Sequence, residues 1–364
     1  MNWFFQWAFC ATAATIVSGG VAERVNFPGY SIFSFCMTAF IYPIIVAWTW
    51  GYGFLADMNQ VGYMDFAGSG TVHLTGGIAA LVGAAIAGQR KGRFPQGWTA
   101  KQRILDFPPK FDPHSQPLIV LGTFSLWFGW YGFNCGSTLS MANAEKGFMA
   151  AHVAMNTTLA ASIGGLVVFA LRYAMLRRYD IGGLCNGILA GLVSITAGCG
   201  NVDTGVALFI GLFGGFIFQG TSALMKVCKI DDPIDAFAVH GACGIWGVLA
   251  AGLFDWGAGF NHAHGWNGFK CVKGTATTGG DCGPEDNNLG TQIFVANLCE
   301  VLVIILWSGG LSAIVFAILK ASKMLRASDD AQDQGLDKKH SPSKAYAADV
   351  SNAMEEDDAP LASI

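Results

Sequence analysis

Two histidines of this chain are surrounded by the same pattern of residues. The sequence around the first is DFAGSGTVHLTGGI (65–78), and around the second it is DPIDAFAVHGACGI (232–245). In both, an aspartate lies eight residues before the histidine, a valine lies directly before it, and Gly-Ile follows four and five residues after it. An ionisable side chain inside a long apolar segment is a candidate functional group. His73 and His240 are therefore the first candidate functional residues.

These histidines also have a structural interpretation, in which each is a core residue bonded to a nearby carbonyl. Their equivalent positions in a repeat favour a shared function. Neither lies in a metal-binding pattern such as HExxH, so no metal site and no cofactor is predicted. The aspartates of the pattern, Asp65 and Asp232, are suited to capping helices through backbone N–H groups. A direct role in attracting a cation is the competing interpretation.

Aromatic residues form a second candidate set. Phe5 and Phe9 are four residues apart and share one helical face. Such rings either anchor a chain at a membrane surface or hold a small cation at about 0.5–2 kcal/mol per ring. Phenyl rings below such a site could also exclude water from a pore. The other members of the set, including one hydroxyl acceptor, are Trp50, Trp130, Phe133 and Ser137.

The composition indicates which environment these residues occupy. Of 364 residues, 52% are hydrophobic and 13% are charged, against roughly 25% charged residues in soluble domains. The 48 glycines suit close helix packing in lipid. The net charge of −4 gives no indication of a nucleic-acid partner. The chain is predicted to be an all-α polytopic membrane protein.

Nine apolar segments are long enough, or nearly so, to cross a bilayer. The third and the eighth are short, rich in glycine, and contain the two histidines. Because five spans separate equivalent positions, the two copies cross the membrane in opposite directions, which predicts an inverted repeat with a site near the midplane. The segments are 3–22, 31–50, 70–88, 117–138, 150–171, 181–199, 204–225, 237–254 and 292–319.

The Lys and Arg residues predict the orientation. Eighteen of the 21 fall in alternate loops or in the C-terminal tail, and no Lys or Arg falls inside a predicted span. The positive-inside rule then places the C-terminus in the cytoplasm and the N-terminus outside. The loop that contains Cys271 and Cys282 would lie outside, where a disulfide between them could form; both the bonded and the free states remain open.

Several segments resemble the ammonium transporter family (Amt/Mep/Rh). The similarity covers nearly all of residues 3–346, and the two histidine segments, DFAGSGTVHLTGG and DDPIDAFAVHGACGIWG, carry its most specific motifs. The similar segments are FQWAFCATAATIVSGGVAER (5–24), DFAGSGTVHLTGG (65–77), GWYGFNCGS (129–137), AGLVSITAGCG (190–200), DDPIDAFAVHGACGIWG (231–247) and, in the tail, GLD (335–337) with Ala345-Tyr346.

The resemblance implies a role for each matching residue. Trp50, Phe9 and Ser137 would form an external ammonium recruitment site, with Thr196 close by and Asp65 organising the vestibule. Phe9 and Phe133 would form a stacked phenyl gate, and His73 and His240 would share a hydrogen bond in the pore. It also implies a homotrimer in membrane lipid, with ammonium or ammonia as the transported molecule.

The chain departs from the family pattern at both ends. The family fold has eleven transmembrane helices, and this sequence supplies nine, so the transmembrane domain at 1–326 is expected to lack the first two. Residues 327–364 are expected to form a cytoplasmic tail that is largely disordered. Ser341-Pro342 in that tail is a weak candidate for a phosphorylation site, at which a kinase or another cytoplasmic regulator would act.

The expected function is transport across a membrane, and the expected location is the plasma membrane. NH4+ would be recruited, give up a proton and cross as NH3, with or without transfer of the proton. The alternatives are an ammonium sensor that signals through the tail, and a non-functional fragment. An intramembrane enzyme is the third class, but no nucleophile–base or metal motif supports it.

Overall fold

The computed structural model describes residues 2–60, 62–105, 108–254 and 289–337. In these ranges the chain is helical, with an isolated β-bridge between Val25 and Arg326. The helices are α1 Asn2–Val21, α2 Phe27–Trp48, α3 Ser69–Ala87, α4 Ala100–Leu105, α5 Gln116–Gly136, α6 Ala144–Leu176, α7 Ile181–Thr196, α8 Thr204–Val227, α9 Phe237–Phe254, α10 Leu289–Ala321 and α11 Asp329–Gln334.

Eight of the described helices are long and apolar enough to cross a membrane. All nine predicted segments coincide with helices, and α7, which has 16 residues, is the apolar helix that falls short. Three helices extend past their predicted C-terminal limits, so that Arg172, Lys226 and Lys320 lie in helical turns and not in loops as expected. Cations are favourable near a helix C-terminus, and long side chains there can reach the polar region.

The two histidine-bearing helices, α3 and α9, cross where glycines remove the side chains between them. A Cβ atom placed on Gly77 would overlap the backbone of Gly241. On the other helix, a Cβ atom placed on Gly244 would lie 2.7 Å from the carbonyl oxygen of Ser69. Gly77 and Gly244 are the glycines that follow each histidine by four residues, so the repeated glycine has a steric explanation.

Both histidines lie in π-helical turns. The first turn spans Ser69–Leu74 and contains His73, and the second spans Phe237–Ala242 and contains His240. Each begins an apolar helix that continues in the α-helical form. Short π-helical turns inside α-helices are frequent at functional sites. The repeat therefore extends to an irregular backbone feature.

Charged residues gather at the end of the bundle where α1, α3 and α8 end, which we term the Arg90 end. The carboxylate of Asp231 accepts hydrogen bonds from the Arg90 backbone and guanidinium at 2.8–3.0 Å. Arg24, with no exposed surface, donates to the carbonyl oxygens of Gly88 and Asp231. The opposite end, which contains the Trp50 side chain, is termed the Trp50 end.

The start of the C-terminal tail packs against the Arg90 end. The Gln332 side chain accepts from the Lys91 backbone at 3.2 Å, and the Lys91 ammonium lies 2.5 Å from the Asp333 carboxylate. Arg326 donates to the carbonyl oxygen of Ala87 at 2.9 Å. Other predicted features, the Cys271–Cys282 loop, Ser341-Pro342 and Ala345-Tyr346, lie outside the described residues.

Candidate functional site

The two histidines meet at the centre of the bundle. The Nδ1 atoms of His73 and His240 are 3.1 Å apart, and their rings are nearly parallel, with centroids separated by 5.1 Å. At that distance one nitrogen donates and the other accepts, so one Nδ1 of the pair holds a proton. His73 is 1% exposed, whereas His240 is half-buried. The structure thus brings together the two histidines for which the family resemblance implied a shared hydrogen bond.

Aromatic rings enclose His73. The Trp130 indole is parallel to the imidazole within 9°, at a centroid distance of 5.1 Å, and the Phe133 ring lies at 5.4 Å. The indole N–H of Trp130 donates to the Thr196 hydroxyl at 3.0 Å, and that hydroxyl donates to the carbonyl oxygen of Leu192 at 2.7 Å. Thr196 is fully buried, and its contacts hold Trp130 against His73.

The two predicted gate rings are in contact. Phe9 and Phe133 have centroids 4.2 Å apart, with their planes inclined at 64°. Their contact is edge to face, one of the arrangements that ring quadrupoles favour. Phe9 is 2% exposed and also contacts Phe5 edge to face at 4.6 Å. The same ring pair thus lies between the Trp50 end and His73.

Trp50 and Ser137, two of the predicted recruitment residues, lie next to this ring pair. The Trp50 indole contacts Phe9 at 5.5 Å. The Ser137 hydroxyl, one turn beyond Phe133 on α5, donates to the carbonyl oxygen of Phe133 at 2.9 Å. Its lone pairs remain to accept hydrogen bonds. A ring face and an oxygen acceptor are thus present, whereas Thr196 contacts Trp130.

Asp65 organises the backbone at the Trp50 end. Its carboxylate accepts hydrogen bonds from Gly68 N at 3.0 Å, Gly70 N at 3.1 Å and Thr71 N at 2.8 Å, so it caps the first turn of α3. The Asp65 carbonyl oxygen accepts from the Trp50 indole N–H at 3.0 Å. The structural interpretation of Asp65 is supported by these contacts, and Asp65 has no exposed surface.

Gly68 makes this arrangement possible. Its φ of +103° is one that residues with a side chain rarely adopt, and a Cβ atom there would lie 2.9 Å from the Trp50 ring. The second aspartate of the repeat has a similar role, because the Asp232 carboxylate accepts from Ala236 N at 2.9 Å and Phe237 N at 2.7 Å. Both copies therefore begin with an aspartate cap.

Two features of the site were missed by the sequence interpretation. Trp130 was expected among aromatics at the external surface, yet it is 6% exposed and stacks on His73. Glu300 was not singled out, although it is the one Asp, Glu, Lys or Arg within the nine predicted spans. An ionisable residue inside a span is a functional hypothesis by default, so that signal was available for Glu300. Nothing in the sequence pointed to the stacking of Trp130.

Comparison with known proteins agrees with these observations. The sequence profile of the Ammonium Transporter Family matches residues 1–346. The chain is 35% identical to Ammonium transporter 1 member 3 of Solanum lycopersicum, over 92% of this chain and 72% of the relative. It is 37% identical to Ammonium transporter Amt2 of Archaeoglobus fulgidus, over 94% of this chain and 69% of the relative.

A solved structure gives the same assignment for the fold. The structure titled "Sensor Amt Protein" superimposes with a TM-score of 0.74 at 32% identity, over 93% of this chain and 76% of that one. The chain thus spans about two-thirds to three-quarters of the length of these relatives. The spans, the helical fold and the similarities together identify this chain as an integral membrane protein of the Ammonium Transporter Family, which consists of transporters and not enzymes.

Proposed function

We propose that this chain transports ammonium across a membrane through a pore that His73 and His240 line. The observation that carries the proposal is the 3.1 Å separation of the two Nδ1 atoms inside an aromatic enclosure. A buried imidazole pair can hydrogen-bond a small polar molecule and pass on a proton. The family membership agrees with this substrate, since the relatives described above are named as ammonium transporters.

NH4+ first binds at the Trp50 end. The Trp50 and Phe9 rings offer their faces to the cation at roughly 0.5–2 kcal/mol each, and Ser137 offers an oxygen acceptor. Asp65 holds the backbone that carries this site. The Phe9–Phe133 contact closes the path below it to water and hydrated ions.

The ion gives up a proton to water at the Trp50 end before it passes the two rings. Burying an unpaired ion costs many kcal/mol, and neutralisation avoids that cost. NH3 then passes the histidine pair, and the proton either follows along the imidazoles or stays behind. K+ cannot lose a proton, which gives the pore a chemical basis for selectivity.

The test is ammonium uptake and current in proteoliposomes that contain the purified protein. The double variant His73→Ala/His240→Ala is expected to lose transport, or to lose selectivity against K+. A suitable control is Leu306→Ala, because Leu306 is 74% exposed on α10, away from the site. Unchanged uptake and selectivity in the double histidine variant would rule out the proposed role of the pair.

The proposal also includes the orientation of the chain, the membrane in which it lies and its assembly. The Lys and Arg residues of the Arg90 end favour a cytoplasmic location for that end by the positive-inside rule, which makes the Trp50 end external. We further propose the plasma membrane as the location and a homotrimer as the assembly. Cross-linking in native membranes, with the size of the product measured, tests the trimer.

A second candidate is an ammonium sensor that signals through its tail. The similarity to a structure titled "Sensor Amt Protein" favours it, as do the contacts of Gln332 and Asp333 with Lys91 at the Arg90 end. Uptake by a variant that ends at residue 327 separates the two. Retained uptake with an unchanged ammonium-dependent cellular response favours transport as the primary function, whereas retained uptake with loss of that response favours the sensor.

A further inference from the structure

Glu300 is a buried acid within a membrane-spanning helix. It lies on α10 and has no exposed surface. One turn earlier on the same face, Asn297 exchanges hydrogen bonds with the backbone of Met64, at 2.6 Å to N and 2.9 Å to O. Met64 directly precedes Asp65. Helix α10 is therefore fixed against the segment that carries the cap of α3.

The Glu300 and Asp65 carboxyl groups both contact the first turn of α3. The Thr71 N–H donates to Oδ2 of Asp65 at 2.8 Å, the Thr71 hydroxyl donates to Oε1 of Glu300, and Oε2 of Glu300 is buried with no hydrogen-bond partner among the described residues. Two buried carboxylates on one turn would repel each other if both were ionised, whereas a proton on one of them removes the repulsion and can be donated in a hydrogen bond to the other. Asp65 already accepts three backbone N–H bonds, which favour its ionised form. Glu300 receives a weaker contact, from the Thr71 hydroxyl at 3.5 Å. The proton therefore belongs on Glu300.

Gly70, in the first π-helical turn, leaves room for the Glu300 carboxyl group. A Cβ atom on Gly70 would lie 2.5 Å from Oε1 of Glu300 and 3.0 Å from its Cδ atom. Because Gly70 has no side chain, the Glu300 carboxyl can lie against the turn that contains His73. The backbone of the same glycine donates to Asp65 at 3.1 Å. Asp65, Gly70 and Glu300 thus form one packed unit.

We propose that Glu300 is a positioning residue of the recruitment site. It is a neutral acid whose O–H group donates a hydrogen bond to the Asp65 carboxylate, the fourth that this carboxylate accepts. This role rests on the proposed ammonium transport. Asp65 then keeps one negative charge and a fixed orientation. The Asp65 carbonyl oxygen accepts a hydrogen bond from the Trp50 indole N–H. The fixed orientation of Asp65 therefore also orients the Trp50 ring, which receives the cation.

The first test compares Glu300→Gln with Glu300→Leu in the uptake assay. The Gln amide can donate to Asp65, whereas Leu cannot. Glu300→Gln is expected to keep the KM for ammonium within about twofold of the unsubstituted chain. Glu300→Leu is expected to raise KM roughly 10- to 100-fold, as for the loss of one hydrogen bond to a charged group. Equal losses in the two variants would overturn the proposal.

The second test does not depend on transport and keeps the proposal decidable if Glu300→Leu fails to fold or if no uptake is seen. The infrared spectrum is measured for the unsubstituted protein and for Glu300→Gln, and the two are subtracted. The carbonyl stretch of a protonated carboxylic acid is expected to disappear in Glu300→Gln. The signal of Asp232, which both proteins contain, cancels in the subtraction. A difference spectrum that lacks the band would mean that Glu300 holds no proton and would contradict the assignment. Loss of the band with no uptake by the unsubstituted protein would refute the proposed function alone.

Discussion

The two histidine segments share their backbone design and differ in what surrounds it. Each starts with an aspartate cap, forms a π-helical turn and places a histidine against the other. His73 is enclosed by Trp130 and Phe133, whereas His240 is half-buried. The repeat therefore specifies the position of the imidazoles, and the neighbouring helices decide how each one is used.

The two aspartate caps also differ in the number of contacts that hold them, and the first again has more. Asp65 accepts three backbone hydrogen bonds and contacts Glu300. Asp232 accepts two, and at the Arg90 end burial together with the nearby Asp235 carboxylate raises its pKa to about 7. The Trp50 end thus has a capping carboxyl held by three N–H groups. The Arg90 end contains an acid that titrates near neutral pH.

The largest loss of stability is expected when the first aspartate cap is substituted. Asp65→Asn removes the carboxylate that three N–H groups and Glu300 contact. It also places an amide NH2 group, which is a donor, against other donors. Together these changes are expected to lower the free energy of unfolding by about 3 kcal/mol or more. The midpoint of thermal unfolding in detergent is expected to fall by roughly 6 °C or more.

Asp232→Asn is the matched variant at the second cap. It is expected to lower the unfolding midpoint much less, because only two N–H groups depend on it. Equal losses in the two aspartate variants would show that the caps are equivalent and that the contrast is wrong.

A slightly smaller effect is expected where the two copies cross. Gly77→Ala places a methyl group against the Gly241 backbone, and such overpacking costs about 1–3 kcal/mol. The histidine pair would also be pushed apart, so ammonium uptake should fall together with the unfolding midpoint.

Gly122→Ala on α5 is the control for that substitution, because nothing lies within 4 Å of a Cβ atom there. Alanine in an open helical position is neutral or stabilising by about 0.5–1 kcal/mol. An unfolding midpoint equally lowered by both substitutions would argue against a steric origin.

The pH dependence sharpens the contrast between the ends. Because the folded-state pKa of Asp232 lies above the unfolded value of about 4, its stabilising contribution is complete below pH 4 and is lost as pH rises through 7. The unfolding midpoint of the unsubstituted chain, relative to Asp232→Asn, should therefore fall between pH 5 and pH 8.

Asp231→Asn should show the opposite trend. Burial of Asp231 raises its pKa, but the hydrogen bonds and charge of Arg90 outweigh that effect and hold the pKa below its usual value. The stability from Asp231 is therefore present above pH 4 and lost as pH falls. Trends of the same sign in both variants would contradict the assignment.

The smallest effect concerns the enclosure of His73. Thr196→Val keeps the shape of the side chain but removes the acceptor for the Trp130 indole N–H. Leaving that buried donor unpaired costs about 1–3 kcal/mol. We expect a modest loss of uptake and an altered tryptophan fluorescence. Unaltered fluorescence would mean that Thr196 does not hold Trp130.

The sequence predicted the helical segments, the histidine pair and the caps because each depends on local pattern. Asp65 and His73 sit at fixed spacing in a repeated motif, and hydropathy marks the helices. The stacking of Trp130 on His73 and the contact of Glu300 with Asp65 join residues far apart in the chain. Such contacts follow from tertiary packing, which no local pattern encodes.

The π-helical turns also escaped prediction. Their hydrogen-bond register, with His73 N bonded to the Gly68 carbonyl oxygen at 3.1 Å, leaves no mark on residue periodicity over so short a stretch. The edge-to-face contact of Phe9 with Phe133 was likewise invisible, since ring orientation depends on three-dimensional packing.

The Ser137 hydroxyl has already committed its hydrogen to the Phe133 carbonyl oxygen. That oxygen can therefore accept a hydrogen bond from a guest but cannot donate one. Ammonium and its mono-, di- and trimethylated derivatives each keep an N–H group that can donate to it. The hydrogen bond should vanish with tetramethylammonium, even though that guest keeps its full positive charge.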